Sequence, residues 1–179
     1  MVCPHPQTTR PVRTPLTVWL APTTWPTLTT EAGRTAPRET GGVLLGWRTG
    51  QHIYITDVIG PGPNAAHAQS TFVPDADWQA EQIAELYERS GRRLAYLGDW
   101  HTHPGGSPVP SEADRATLST IAAYEPARCP QPVMGILGQP DGEEWRLQCH
   151  ILTPGTILRR DRVQRAQLIA VPTEDDSKP

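Results

Sequence analysis

His101 and His103 stand two residues apart in Gly98-Asp99-Trp100-His101-Thr102-His103-Pro104, directly after a run from Arg93 to Leu97 that reads as a strand. Alternate side chains of a strand leave from the same face, so both imidazoles can address one metal ion. Asp114 follows eleven positions after His103, beyond a loop rich in Gly and Pro, where Ser111-Glu112-Ala113-Asp114 reads as the start of a helix. Two imidazole nitrogens from a strand and one carboxylate oxygen from a helix form the three-ligand set of a catalytic zinc, with a fourth position left for water.

Each of these residues also has a plainer role. The histidines can be a surface pair beside a turn. Asp114 favours the helix dipole simply by lying in the first turn. Ser111 is a preferred N-cap, and the Ser-x-x-Asp pattern suits that role. A metal alone hydrolyses amides slowly, and the reaction needs a base for its water and a donor for the oxyanion. Glu39, at the entry to a buried strand and beside glycines that allow close approach, is the candidate base; the alternative is an exposed loop carboxylate. Ser111 is the candidate oxyanion donor, provided that capping does not consume its hydroxyl. Asp99 is either an outer partner of a histidine or outward-facing. His67 and His150 are read as non-ligands.

The elements that must hold these groups are legible in order. Leu16 to Leu20 reads as a strand, and Thr24 to Gly33 as a helix ended by the glycine, with Glu31 on its exposed side. Val43 to Leu45 is a buried strand that should pair as a hairpin with His52 to Ile59 across the turn at Arg48-Thr49-Gly50. Thr71 to Val73 suggests an edge strand. Asp75 to Ser90 is a helix with Asp75 as cap, Trp78, Ile83, Leu86 and Tyr87 near one face, and Gly91 as terminator. Ser111 to Tyr124 is a second helix, offering Ala116, Leu118, Ile121 and Ala122 to the core. Val133 to Leu137 and Glu144 to Ile151 are strands joined at Pro140-Asp141-Gly142, and residues 155–170 add a strand or a helix. Strands and helices in this mixed order indicate an α/β sandwich around a mixed, largely antiparallel sheet.

The length of 179 residues suits one domain, assigned to residues 15–170 between a mobile leader (1–14) and a disordered tail (171–179). A net charge of −3 gives no electrostatic reason to expect nucleic acid. The cluster Arg159, Arg160, Arg162 and Arg165 reads as a solvated face. Cys3, Cys129 and Cys149 are too widely spaced for a zinc site and odd in number, which favours a reducing cytoplasm. The apolar run from Leu16 to Ala21 is too short for a membrane span. A zinc deaminase would need a Pro-Cys-x-x-Cys pair, and this chain has none.

Glu39, then His101-x-His103, seven residues and Ser111-x-x-Asp114 resembles the full signature of the MPN/JAMM metalloproteases. Glu39-Thr40-Gly41-Gly42-Val43-Leu44-Leu45-Gly46 and Trp100-His101-Thr102-His103-Pro104 look like its bacterial branch, and the resemblance spans about residues 16–155. It implies a cytidine-deaminase-like α-β-α sandwich, a Zn2+ on His101, His103 and Asp114, Glu39 acting on the water, and Ser111 on the oxyanion. It further implies cleavage after the C-terminal tail of a ubiquitin-like protein, held as an added strand along Ser70, Thr71, Phe72 and Val73. The branch is similar to isopeptidases of antiphage conjugation systems, whose activating-like and conjugating-like enzymes would be partners. Other members process sulfur-carrier or phage tail proteins, and a non-catalytic module binding such a tail is the competing expectation.

Overall fold

The computed structural model describes residues 16–155 and 161–172. In chain order these form β1 (Thr17–Leu20), α1 (Thr24–Thr35), β2 (Gly41–Thr49), β3 (His52–Ile59), β4 (Ala66–His67), β5 (Phe72–Val73), α2 (Ala76–Arg89), β6 (Ala95–Gly105), α3 (Glu112–Ala123), β7 (Val133–Pro140), β8 (Arg146–Thr153), β9 (Arg162–Arg165) and β10 (Gln167–Ala170). A single 3-10 turn, Glu125–Ala127, follows α3. Eight strands make one sheet in the order β10-β1-β3-β2-β6-β7-β8-β9, while β4 and β5 form a separate hairpin. Four of the seven pairings are antiparallel and three parallel, so the sheet is mixed.

The alternation of side chains divides the apolar residues between the two faces of the sheet. Leu44, Ile53, Ile55, Val133 and Leu137 point to one face and pack with Leu28 and Ala32 of α1. Val43, Leu45 and Ile59 point to the other and meet Trp78, Ile83 and Leu86 of α2. On that same face Met134 and Ile136 meet Leu118 and Ala122 of α3. The result is the α-β-α sandwich, with β2, β6 and β7 at its centre.

A bulge tunes the central strand. The β2–β6 register slips between Leu44 and Leu45, leaving Leu97 as an extra residue on β6. Gly98 follows at φ 141°, and a Cβ there would meet the Val133 carbonyl oxygen at 1.9 Å, so only glycine fits. The bulge resets the alternation: Leu97 and Trp100 both enter the α1-side core, and the residues on either side of Trp100 turn toward α3.

Several local expectations are corrected. Helix α1 runs past Gly33, whose exposed position costs little, and stops at Thr35 before Ala36-Pro37. Its Glu31 does not face solvent; the side chain accepts hydrogen bonds from Thr35 and Thr40 as well as Arg34. Tyr87 is exposed although Leu86 beside it packs inward, and Ala116 is exposed on α3. Residues 161–170 form two strands on opposite sides of the sheet order rather than one element. The expected leader (1–14) lies outside the described residues, as do residues 173–179 of the expected tail, Cys3, Arg159 and Arg160. Arg162 and Arg165 are exposed, as a solvated face requires. Cys129 and Cys149 are free and buried. No helix among the described residues is long and apolar enough to cross a membrane.

Candidate metal centre

Strand β6 delivers His101 and His103 to the α3 side of the sheet, and α3 delivers Asp114 to them. The helix is oriented by its N-terminus: Ser111 Oγ accepts from Asp114 N at 3.2 Å, while Asp114 Oδ2 accepts from Ser111 N at 2.7 Å and from Ser111 Oγ at 2.8 Å. This is a complete capping box. It holds the Asp114 carboxylate at the front of the helix, and burial of Leu118 one turn later seats the helix on β7 and β8.

The three donor atoms converge. His101 Nε2 lies 3.2 Å from Asp114 Oδ1, His103 Nε2 lies 3.6 Å from Asp114 Oδ2, and the two Nε2 atoms are 3.0 Å apart. His103 Nδ1–H donates to the Ser107 carbonyl at 3.0 Å, which leaves Nε2 as the basic nitrogen. Two imidazole nitrogens facing each other at that distance, beside a carboxylate, make a point that attracts a cation or proton. The hydrogen bond to Asp114 accordingly raises the His103 pKa, with burial working against it. Burial pushes the Asp114 carboxyl up, but the hydrogen bonds and charges of the histidines outweigh it and hold that group well below the usual carboxylate range. The donor set fits a divalent ion that takes nitrogen and oxygen ligands.

Glu39 reaches the same place from β2. Gly41 pairs with His101, and Thr40 is locked to Thr102 by two bonds, Thr40 N to Thr102 Oγ1 at 2.9 Å and Thr102 N to Thr40 O at 2.8 Å. Continued by one residue, this antiparallel register sets Glu39 beside His103. The half-buried Glu39 carboxyl is pushed up by burial, pulled down by the charges of His103 and His101, and pushed up again by Asp114. It therefore shares one electrostatic environment with the three donors.

Ser111 is exposed and adjoins the cluster, with its hydroxyl donated to Asp114 in this state. Ser70 and Thr71 form the exposed turn of the β4–β5 hairpin, and Phe72 and Val73 form β5, whose one strand partner among the described residues is β4. The Phe72 ring lies over Gly41, where a Cβ would come within 2.6 Å of it. The hairpin is thus seated above the start of β2, close to Glu39 and His101. Asp99 faces inward: it is half-buried and accepts from the Tyr96 hydroxyl at 2.7 Å, and loss of solvation raises its pKa against that bond. His150 Nε2–H donates to the Pro108 carbonyl at 3.0 Å, fixing the loop between His103 and Ser111.

Two contributors escaped the sequence reading. Tyr96 pairs with Asp99 only because the bulge at Leu97 turns both to one face, and a bulge leaves little trace in sequence beyond Gly98. His67 donates from Nδ1–H to the main-chain oxygen of Glu39 at 2.9 Å, a bond for which a lone loop histidine gives no signal.

Comparison with known proteins places the chain in a family. The family described as prokaryotic homologs of the JAB domain matches residues 25–148. A Sinorhizobium fredii protein named as a probable metalloprotease is 38% identical over 134 residues, covering 73% of this chain and 80% of its own. Proteins named CD-NTase/cGAS isopeptidase are similar at 34% identity in Escherichia coli (58% of this chain, 64% of theirs) and 38% in Vibrio cholerae (43% and 49%). The chain therefore spans less than two thirds of those two isopeptidases. A Desulfitobacterium hafniense protein of known solution structure superposes with a TM-score of 0.66 over 89% of this chain and 97% of its own, at 17% identity, which speaks to the fold.

Proposed function

The chain belongs to the prokaryotic JAB-domain family, and from that premise we propose that it is a zinc-dependent isopeptidase or peptidase cleaving after the C-terminal tail of a ubiquitin-like protein. The observation that carries this reading is the convergence of His101, His103 and Asp114 on one point, with Glu39 brought beside them across the β2–β6 pairing. His101, His103 and Asp114 would hold the zinc, which would supply Lewis-acid chemistry and lower the pKa of water in the site.

The remaining work falls to the protein's own groups. Glu39 takes a proton from the attacking water and returns it to the departing amine, a task suited to a carboxylate whose proton affinity burial has increased. Ser111 donates to the developing oxyanion, which requires its hydroxyl to rotate away from Asp114 Oδ2. Ser70 to Val73 offer main-chain groups along the hairpin edge. Such pairing suits a Gly-Gly tail, which has no side chains to recognise. The isopeptidase names of two relatives favour an isopeptide bond to a lysine as the scissile linkage and a conjugation system of antiphage type as the setting, with its activating-like and conjugating-like enzymes as partners.

The decisive experiment gives the zinc-loaded enzyme a ubiquitin-like domain ending in Gly-Gly, linked to a reporter through either a peptide or an isopeptide bond. Cleavage should stop on chelation, return with zinc, and fall by at least about 100-fold in Glu39→Ala, the upper end of what a general base contributes being greater still. A Glu39→Ala variant as fast as the parent would falsify the assignment of the base.

A further inference from the structure

Glu39 sits just outside β2, and its main chain is not held by the large sheet. Thr40 is the first residue tied to β6, through both its N–H and its carbonyl. Glu39 is held instead from the other side, by the small hairpin. Its N–H donates to the Ala68 carbonyl at 2.7 Å, and its carbonyl accepts from His67 Nδ1–H at 2.9 Å. Ala68 N in turn donates to Thr71 O at 2.9 Å, so the residue that grips Glu39 is itself part of the turn closing the hairpin. The His67 ring is stacked on Phe72, with centroids 6.1 Å apart and planes within 18°, and Phe72 covers Gly41. The series Phe72–His67–Glu39 links β5 to the main chain that carries the carboxylate.

We infer that His67 is a positioning residue for Glu39, its ring N–H fixing the main chain from which the carboxylate extends. This rests on the reading of Glu39 as the base. A hairpin with two paired residues per strand is marginal on its own. Its bonds to Glu39, from Ala68 O and His67 Nδ1, tie it to the start of β2. The direction of a short side chain such as Glu follows its own backbone, so what fixes the Glu39 amide and carbonyl fixes where its carboxylate can reach. A base about 1 Å out of place costs on the order of 100-fold in rate.

The inference separates two functions of His67, the hydrogen bond and the stack, and so makes a sharp test. His67→Phe keeps an aromatic ring against Phe72 and removes the donor; His67→Asn restores an amide N–H near the position of Nδ1. With zinc-loaded protein and a Gly-Gly-tailed fusion, His67→Phe should lower kcat about 10- to 100-fold with KM and bound zinc unchanged, and His67→Asn should recover most of the loss. Hydrogen exchange on the same proteins without substrate gives an independent reading: the Glu39 amide should exchange faster in His67→Phe than in the parent or His67→Asn. If no fusion is cleaved by the parent, the proposed function fails while the exchange result still decides whether the clamp exists. Equal kcat and equal Glu39 exchange in His67→Phe and the parent, or an Asn variant no better than Phe, would overturn the inference.

Discussion

Strand β6 carries two polar clusters, and they follow opposite rules. Near its start, Tyr96 donates to Asp99, Cys129 Sγ lies 3.4 Å from the Leu97 carbonyl, and Arg48 donates to the carbonyls of Leu97 and Gln131. Burial raises the pKa of Tyr96, Asp99 and Cys129 and lowers that of Arg48. Every group there has found its partner within the cluster. Toward the strand's end, His101, His103 and Asp114 turn their basic atoms toward each other and toward a common point, partly open to solvent. The first cluster is closed and needs nothing added. The second aims its basic atoms at one point where a cation could be held. Titratable groups on one strand are therefore told apart less by their types than by whether their lone pairs are already spent.

The contrast is broken most forcefully at the open end. Asp114→Ala should abolish turnover and lower zinc content together, by more than the roughly 10- to 100-fold that losing an outer partner costs a metal site. Metal analysis and cleavage of the fusion read both losses. Ser111→Ala should be next: zinc stays, the rate falls about 10²-fold, and loss of the cap costs about 1 kcal/mol seen in thermal melts. Equal zinc loss in the two variants would show that Ser111 serves the fold alone. The closed cluster should respond in the reverse sense. Tyr96→Phe leaves a half-buried acceptor without its donor, costing about 1 kcal/mol of stability, while zinc content and rate at low temperature stay near the parent's. A fall in zinc affinity there would join the two clusters into one.

The smallest effect is a pH dependence that only the open cluster should show. In chelated protein the His103 pKa is raised above its ordinary 6.5 by its hydrogen bond to Asp114, with burial opposing. Its contribution to stability is full below that ordinary value and is lost as pH rises through the raised one. Asp114 is depressed, so its contribution is full above the ordinary carboxylate value of 3.8 and fades only as pH falls far below it. The metal-free protein should then lose a few degrees of Tm between pH 6 and 9. Zinc-loaded protein should not, because ligation itself favours the deprotonated ring. Parallel melts with and without chelator measure the difference.

Much of this was legible because it rests on local rules. Asp75 caps α2 by accepting from Trp78 N, Ser111 and Asp114 close α3, and Asp141-Gly142 turns β7 into β8 with both residues at positive φ. His101-x-His103 needed only the strand period. Glu39 did not: nothing within sixty residues connects it to the histidines except a register that tertiary pairing creates, and it was the likeness of the whole signature that singled it out. Gly33 was misread as a stop because a glycine on an exposed helix face looks the same in sequence as one beyond the helix end. Glu31 was misread as exposed because its partner, Thr40, comes from the next element. His67 carried no signal, since its use depends on where another residue's carbonyl happens to lie.

One feature of the frame bears on how the molecule tolerates truncation. The segment after Asp161 pairs its first half with β8 and its second half with β1, and the buried Ala166 between them donates its N–H to the Cys149 carbonyl at 2.9 Å. A single stretch of nine residues thus shields flanks that belong to opposite extremes of the strand order. Cutting the chain before Arg162 would bare two rows of unsatisfied main-chain groups at once, each a template for a neighbouring molecule, so that shortened versions should precipitate well before they lose the ability to bind zinc.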